Sequence, residues 1–137
     1  MIPAEYRRTV VLLVKKTQGG KVRWLTTGDE NTFMVRLKEF SLAVSYDSRR
    51  IDLNDTYSSY VTLSLINKQG GVIDTFEVVD DEETDWSLVN TLYNAARREA
   101  LDITTAIKKF EEELEKDDVV GEAPGEAPQA KADEIPF

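Results

Sequence analysis

Residues 32–46 read Thr-Phe-Met-Val-Arg-Leu-Lys-Glu-Phe-Ser-Leu-Ala-Val-Ser-Tyr, and large apolar side chains recur at every second position. These positions are odd from Phe33 to Leu37 and even from Phe40 to Tyr46. A period of two is typical of a β-strand with one buried face, and a change of parity requires a turn or a bulge. The stretch therefore predicts two paired strands that are joined near Lys38-Glu39.

The same alternation continues on both sides of this stretch. It covers residues 21–26 before a turn-like segment, residues 60–66 after a polar loop at 47–57, and residues 72–79 after the hairpin signal at 67–71. Together these segments predict a five-stranded antiparallel meander. The positions expected to face a layer of helices are Val22, Trp24, Phe33, Val35, Leu37, Phe40, Leu42, Val44, Val61, Leu63 and Leu65.

A helix is predicted before the sheet. Pro3 suits the first helical turn, apolar residues from Tyr6 to Val14 recur at helical spacing, and Gly19-Gly20 ends the pattern. The alternative is a strand, because residues 9–14 are rich in β-branched side chains. We favour the helix.

A longer helical segment is predicted after the sheet. Acidic residues at 80–85 suit a helix start, and an apolar side chain recurs every three or four residues from Trp86 to Leu114. One continuous helix would present a coiled-coil seam. Two helices would separate at 101–105, where β-branched residues and cap formers cluster. We favour the separation, which predicts a helix pair packed on one sheet face.

The fold class expected from these elements is α+β, with a globular domain at residues 1–116. Residues 117–132 are rich in Ala, Pro, Gly and Glu and repeat Gly-Glu-Ala-Pro at 121–124 and 125–128. Such a segment has no apolar face that could offset the entropy of ordering, so it predicts a disordered linker. Residues 133–137 would then form an interaction tip.

The composition excludes several kinds of functional site. The 137 residues include no cysteine and no histidine, so disulfides, Ser-His triads and Zn sites built from Cys or His are excluded. The carboxylates at 80–83 are consecutive and diverge, which does not favour a metal site. We expect a protein that is not an enzyme and has neither metal nor cofactor. The apolar run Val10–Val14 is too short for a signal peptide or a membrane span, which predicts a cytoplasmic protein without membrane association.

Charge is distributed unevenly along the chain. The net charge is −9, but residues 1–30 carry six Lys or Arg against three Asp or Glu, and residues 117–137 carry one against six. The sheet face opposite the helices would carry cations, hydroxyls and an aromatic ring, which suit a groove for single-stranded DNA. The residues predicted to bind nucleic acid are Lys21, Arg23, Arg36, Lys38 and Tyr60. The alternative is a solvated polar face on a half-buried sheet.

The last five residues carry a more specific signal, because they present an aromatic ring together with an α-carboxylate. These residues are Asp133, Glu134, Ile135, Pro136 and Phe137. They resemble the acidic tip of bacterial single-stranded-DNA-binding proteins, which ends in Ile-Pro-Phe after a disordered linker. The resemblance implies docking to DNA replication and repair enzymes, with the ring in an apolar pocket and the two acids on a basic rim. It covers the linker and the tip, whereas the body does not match that family's oligonucleotide-binding barrel.

Two functions follow as hypotheses. The first is a non-enzymatic DNA-metabolism protein, which binds single-stranded DNA or acts as an accessory and docks replication and repair partners through its tip. The second is a small protein–protein adaptor or regulator, dimeric through its C-terminal helices, which binds no nucleic acid.

Overall fold

The computed structural model describes residues 1–116 and 119–122, so the predicted tip and most of the predicted linker lie outside the described residues. Residues Met1–Ile103 form one compact unit, and the chain from Thr104 belongs to a second. The predicted α+β fold class is confirmed. The elements in chain order are α1 (Ala4–Gln18), β1 (Leu25–Thr26), β2 (Thr32–Arg36), β3 (Phe40–Arg50), β4 (Tyr57–Asn67), β5 (Val72–Val79), α2 (Glu83–Ala100) and α3 (Ile103–Lys116).

The five strands form an antiparallel sheet in the order β1-β2-β3-β4-β5, as the meander prediction requires. β2 and β3 are joined by a tight turn at 37–39, in which the Leu37 amide donates a hydrogen bond to the Phe40 carbonyl at 2.9 Å. This turn explains the change of parity in the sequence, because it reverses the chain within three residues. The predicted junction near Lys38-Glu39 is therefore confirmed.

One face of the sheet is buried by helices and is called the covered face. α2 crosses β2 to β5, and α1 packs on α2. The buried residues of α1 include Val10 and Val14, and the predicted N-terminal helix is confirmed. The buried side chains of the sheet, of α2 and of the segment before β1 are Trp24, Phe33, Val35, Leu42, Val44, Val61, Leu63, Val78, Val89, Leu92, Tyr93 and Ala96.

The C-terminal helical segment is separated into α2 and α3 at Leu101-Asp102, as favoured from the sequence. Asp102 has a left-handed backbone with φ of 51°, which is incompatible with a continuous right-handed helix. α3 contains no buried residue, and the side chains of Ile107, Phe110 and Leu114 are 46%, 63% and 42% exposed. In the described part of the chain, no helix is both long and apolar enough to cross a membrane.

The first strand is much shorter than predicted. β1 contains two residues, and residues 21–24 lie before it. The Trp24 amide donates to Glu99 Oε2 of α2 at 2.6 Å, and its indole Nε1 donates to Thr17 Oγ1 of α1 at 3.0 Å. The helices therefore bind both the backbone and the side chain of Trp24. The prediction that Lys21 and Arg23 are strand residues is wrong, because β1 begins at Leu25.

Two residues expected to face the helices are exposed instead. Leu37 is 69% exposed because it belongs to the β2–β3 turn, and Phe40 is 47% exposed because it opens β3 at the end of the sheet. The predicted polar loop at 47–57 is also shorter than expected. β3 and β4 remain paired from Phe40↔Asn67 to Arg50↔Tyr57, which leaves only residues 51–56 as the loop.

Candidate nucleic-acid interface

The face of the sheet opposite the core is called the open face. Its central positions are small and hydroxylated, and neighbouring strands align Ser45 with Thr62 and Ser64 with Thr75. The Ser64 and Thr75 hydroxyl oxygens are 3.1 Å apart and form a hydrogen bond. The two ends of this face differ in charge, and that difference locates the candidate site.

One end carries a groove between two hairpin turns. The β2–β3 turn and the β4–β5 turn lie side by side because Phe40 pairs with Asn67. The groove has a volume of about 520 Å³ and is called the turn-end groove. Its lining residues are Met34, Arg36, Leu37, Lys38, Glu39, Phe40, Ser41, Ile66, Asn67, Lys68, Gln69 and Gly70.

The β4–β5 turn is fixed by Asn67. Its Oδ1 accepts hydrogen bonds from the Gln69 amide at 3.1 Å and the Gly71 amide at 2.8 Å. Gly70 has φ of 91°, a conformation that glycine adopts without steric cost. These bonds hold the backbone that places Lys68 on the rim of the groove.

The turn-end groove has an excess of positive charge. Arg36, Lys38 and Lys68 line it together with one acid, Glu39. Within the described residues, none of the three cations takes part in an ion pair. Unpaired cations beside apolar side chains such as Ile66 can contact phosphate oxygens and bases of a flexible strand.

The structure brings together two of the five residues predicted to bind nucleic acid. Arg36 and Lys38 share the turn-end groove, whereas Lys21 and Arg23 are exposed between α1 and β1 and are not among its lining residues. Lys68 was missed because it belongs to a different hairpin. The available signal was the register of β3 with β4, which the lengths of the two hairpins define.

Tyr60 lies at the opposite end of the open face and is already in contact with a cation. The Arg49 guanidinium is 4.1 Å from the centre of the Tyr60 ring. Arg49 also donates to Glu77 Oε2 at 2.6 Å and to Asp47 Oδ2 at 2.9 Å. The hydrogen bond to Glu77, followed by the one to Asp47, raises the pKa of Arg49. We call these four residues the Arg49 cluster; its two acids make it a poor site for phosphate.

Two acids at the start of α2, Glu82 and Asp85, anchor the N-terminus and the end of β5. Asp85 accepts hydrogen bonds from the Ile2 amide at 2.9 Å and from Arg7 at 3.0 Å. The bond from Ile2, and then the Arg7 guanidinium, lower the pKa of Asp85 from its ordinary value of 3.8. Glu82 accepts from the Val79 amide at 2.7 Å. In the described ranges, no three acidic side chains are grouped so that they could hold a metal ion.

The residues predicted to dock a partner, Asp133 to Phe137, lie outside the described residues, so the structure does not bear on them. The chain was also compared with known proteins. No protein-family model, no curated protein and no solved structure matches it.

Proposed function

We propose that this chain is a non-enzymatic protein of DNA metabolism, which binds single-stranded DNA at the turn-end groove and docks replication or repair enzymes through residues 133–137. The observation that supports DNA binding most strongly is the set of three unpaired cations, Arg36, Lys38 and Lys68, around one groove on the open face. The observation that supports docking is the sequence of the tip.

The groove suits a single strand better than a duplex. Its volume of about 520 Å³ is in the range of a small-molecule pocket, and its rim of two hairpin turns admits a flexible chain. The side chains of Met34 and Ile66 add apolar surface on which an unstacked base can pack.

Fluorescence anisotropy with labelled oligo-dT at low salt tests DNA binding. The variant Arg36→Ser/Lys38→Ser/Lys68→Ser should bind at least roughly tenfold more weakly than the wild type, because three phosphate contacts are removed. The matched control is Arg8→Ser/Lys15→Ser/Lys16→Ser, which removes the same charge from exposed positions on α1. Equal loss in both variants, or no binding by the wild type, would contradict this part of the proposal.

Docking through the tip is tested separately. The full chain and a chain that lacks Phe137 are titrated against a repair enzyme known to bind tips of the Ile-Pro-Phe type. We expect the deletion to abolish binding, because the ring and its carboxylate contribute together. If both chains bind equally, the tip has no docking role, whatever the outcome with oligo-dT.

The second candidate function, an adaptor that dimerises through its C-terminal helices, is supported by α3. Ile107, Phe110 and Leu114 are spaced by three and four residues and are exposed. Such a stripe is typical of a helix that packs on another helix. Sedimentation velocity distinguishes this function: a dimer that the Phe110→Glu variant converts to a monomer supports it, and a monomeric wild type excludes it.

A further inference from the structure

A second recess lies on the helix side of the sheet, where α2 passes over β3. It has a volume of about 340 Å³ and is lined by Tyr46, Asn90, Tyr93, Asn94 and Arg97. Asn90, Asn94 and Arg97 are separated by four and three residues on α2, so they lie on one face of that helix. We call this the Arg97 recess.

Four hydrogen-bonding side chains of the recess have no partner among the described residues, whereas the fifth, Tyr46, is bonded to Ser59. Within the described residues, the side chains of Asn90, Asn94 and Arg97 make no hydrogen bond or ion pair, and the Tyr93 hydroxyl makes no hydrogen bond. Every fully buried side-chain oxygen or nitrogen in the described residues has a hydrogen-bond partner. Because the Tyr93 hydroxyl has no partner, it is not fully buried, and it is accessible from the recess that Tyr93 lines.

The Tyr93 side chain is fixed by its surroundings. Tyr93 is only 6% exposed, and its ring centre lies 5.8 Å from that of Phe33 and 5.5 Å from that of Tyr46. The Tyr46 hydroxyl is itself held by Ser59 Oγ at 2.8 Å. A hydrogen-bond donor on a rigid, buried ring is preorganised. A ligand that accepts a hydrogen bond from it therefore binds with little loss of conformational entropy in the protein.

The charges around the recess define the ligand further. Its own lining contains one cation, Arg97, and no acid. On the other side of Arg97, a neighbouring recess is lined by Asp29 and Glu30. Asp29 is held in place because it accepts hydrogen bonds from the Asn31 amide and the Thr32 hydroxyl, each at 2.9 Å. The field of Asp29 reaches Tyr93, whose pKa is raised by burial and further by this carboxylate, against the lowering effect of Arg97. Because Arg97 is the one cation that lines the recess and two acids lie nearby, a ligand with one negative charge is favoured over a ligand with two.

The geometry points to the Arg97 recess as a binding site for a small carboxylic acid. The carboxylate would accept hydrogen bonds from the Arg97 guanidinium, from the amides of Asn90 and Asn94 and from the Tyr93 hydroxyl. Its organic part would lie against the Tyr46 ring. This site is on the opposite side of the sheet from the turn-end groove, and it does not depend on the function proposed above.

Nuclear magnetic resonance with ¹⁵N-labelled full chain tests this site. Sodium benzoate, inorganic phosphate and sodium chloride are each titrated at constant ionic strength, and the side-chain signals of Asn90, Asn94 and Arg97 are followed. Benzoate should shift these signals saturably, and it should bind more tightly than phosphate. Non-saturable shifts, the same shifts with chloride, or tighter binding of phosphate would overturn the assignment.

Four variants locate the effect. Arg97→Gln should weaken benzoate binding at least roughly tenfold, since it removes the charge-assisted hydrogen bonds. Tyr93→Phe keeps the buried ring and should weaken it to a smaller extent. Arg98→Gln, which removes the neighbouring exposed cation, should bind as the wild type does. If Arg97→Gln does not fold, Asn94→Asp introduces a negative charge at an exposed lining position and should abolish binding. Unchanged binding by a folded Arg97→Gln or Asn94→Asp variant would exclude the site.

Discussion

The covered and open faces of the sheet are made by the same strands, but they are stabilised differently. In β4, Val61 and Leu63 are at most 1% exposed, whereas Tyr60, Thr62 and Ser64, which alternate with them, are partly exposed. Apolar burial on the covered face stabilises the fold. The open face is nearly free of that constraint, so its side chains are available to a ligand unless they bind each other.

Within the open face, some cations are bound to neighbouring side chains and others are available to a ligand. Arg49 donates to two carboxylates and lies over Tyr60, whereas Arg36, Lys38 and Lys68 have no ion pair within the described residues. The positive charge of Arg49 is balanced in the folded protein, and that of the turn-end groove is not. Available cations, rather than cations in total, therefore indicate where a phosphate could bind.

The largest expected effect separates the two faces. Leu63→Ala should lower the free energy of unfolding by roughly 2–5 kcal/mol, because it removes buried methyl groups and leaves a cavity. Ser64→Ala, the adjacent open-face position, should lower it by about 1 kcal/mol or less, because it removes only the exposed hydrogen bond to the Thr75 hydroxyl. Urea denaturation followed by tryptophan fluorescence measures both. Similar values for the two variants would show that the faces do not differ in this way.

The sequence predicted the elements of this fold better than their lengths. α1 and the separation of α2 from α3 were predicted because local chemistry specifies them: Pro3 and Gly19-Gly20 delimit the first, and cap formers cluster at the second. The polar composition of residues 47–57 predicts a loop, whereas residues 47–50 and 57 belong to β3 and β4. Contacts across the strands, such as Arg49 with Tyr60, hold them, and periodicity does not detect such contacts.

The candidate site was predicted in part for a similar reason. Side-chain parity predicts both Arg36 and Lys38 on the open face, although Lys38 lies in the β2–β3 turn rather than in a strand. Lys68 joins them only through the register that sets Phe40 opposite Asn67, a long-range relationship. Conversely, Tyr60 was predicted from its residue type, and the structure places Arg49 over its ring.

The next effect concerns the salt dependence of DNA binding, and it sharpens the comparison between the two ends of the open face. Three phosphate contacts on a single strand predict a slope of about −2 for the logarithm of affinity against the logarithm of salt concentration. The Lys68→Gln variant should reduce the magnitude of this slope by about 0.7. Anisotropy titrations between low and physiological salt measure it. A wild-type slope near zero would mean that the groove cations do not contact phosphate.

A smaller effect concerns acid stability at the edge of the covered face. Asp85 has a folded pKa below its ordinary value of 3.8, chiefly because it accepts the Ile2 amide. Its stabilising contribution is therefore complete above 3.8 and is lost as the pH falls through the lower folded value. The amount by which Asp85→Asn lowers the free energy of unfolding should therefore decrease as the pH falls through this range.

Asp81→Asn is the control for this measurement, because Asp81 is exposed and makes no side-chain bond within the described residues. Denaturation midpoints at several pH values below 5 compare the two variants. A loss for Asp85→Asn that stays constant down to the acid limit would contradict the role of this hydrogen bond in the folded state.

The smallest effect is expected from Arg49, although it is the most extensively bonded cation of the open face. Its side chain is 45% exposed and its two acids are similarly accessible, so solvent screens these ion pairs and Arg49→Gln should change the urea midpoint only slightly. At physiological salt, charges separated by more than about 8 Å are largely screened, so oligo-dT affinity should change by about twofold or less. Lys38→Gln removes one unit of charge as well, but from the turn-end groove, and should lower affinity more at the same salt concentration. If Arg49→Gln loses as much affinity as Lys38→Gln, then ion pairing does not separate the two ends of the face, and the DNA path would have to include Tyr60.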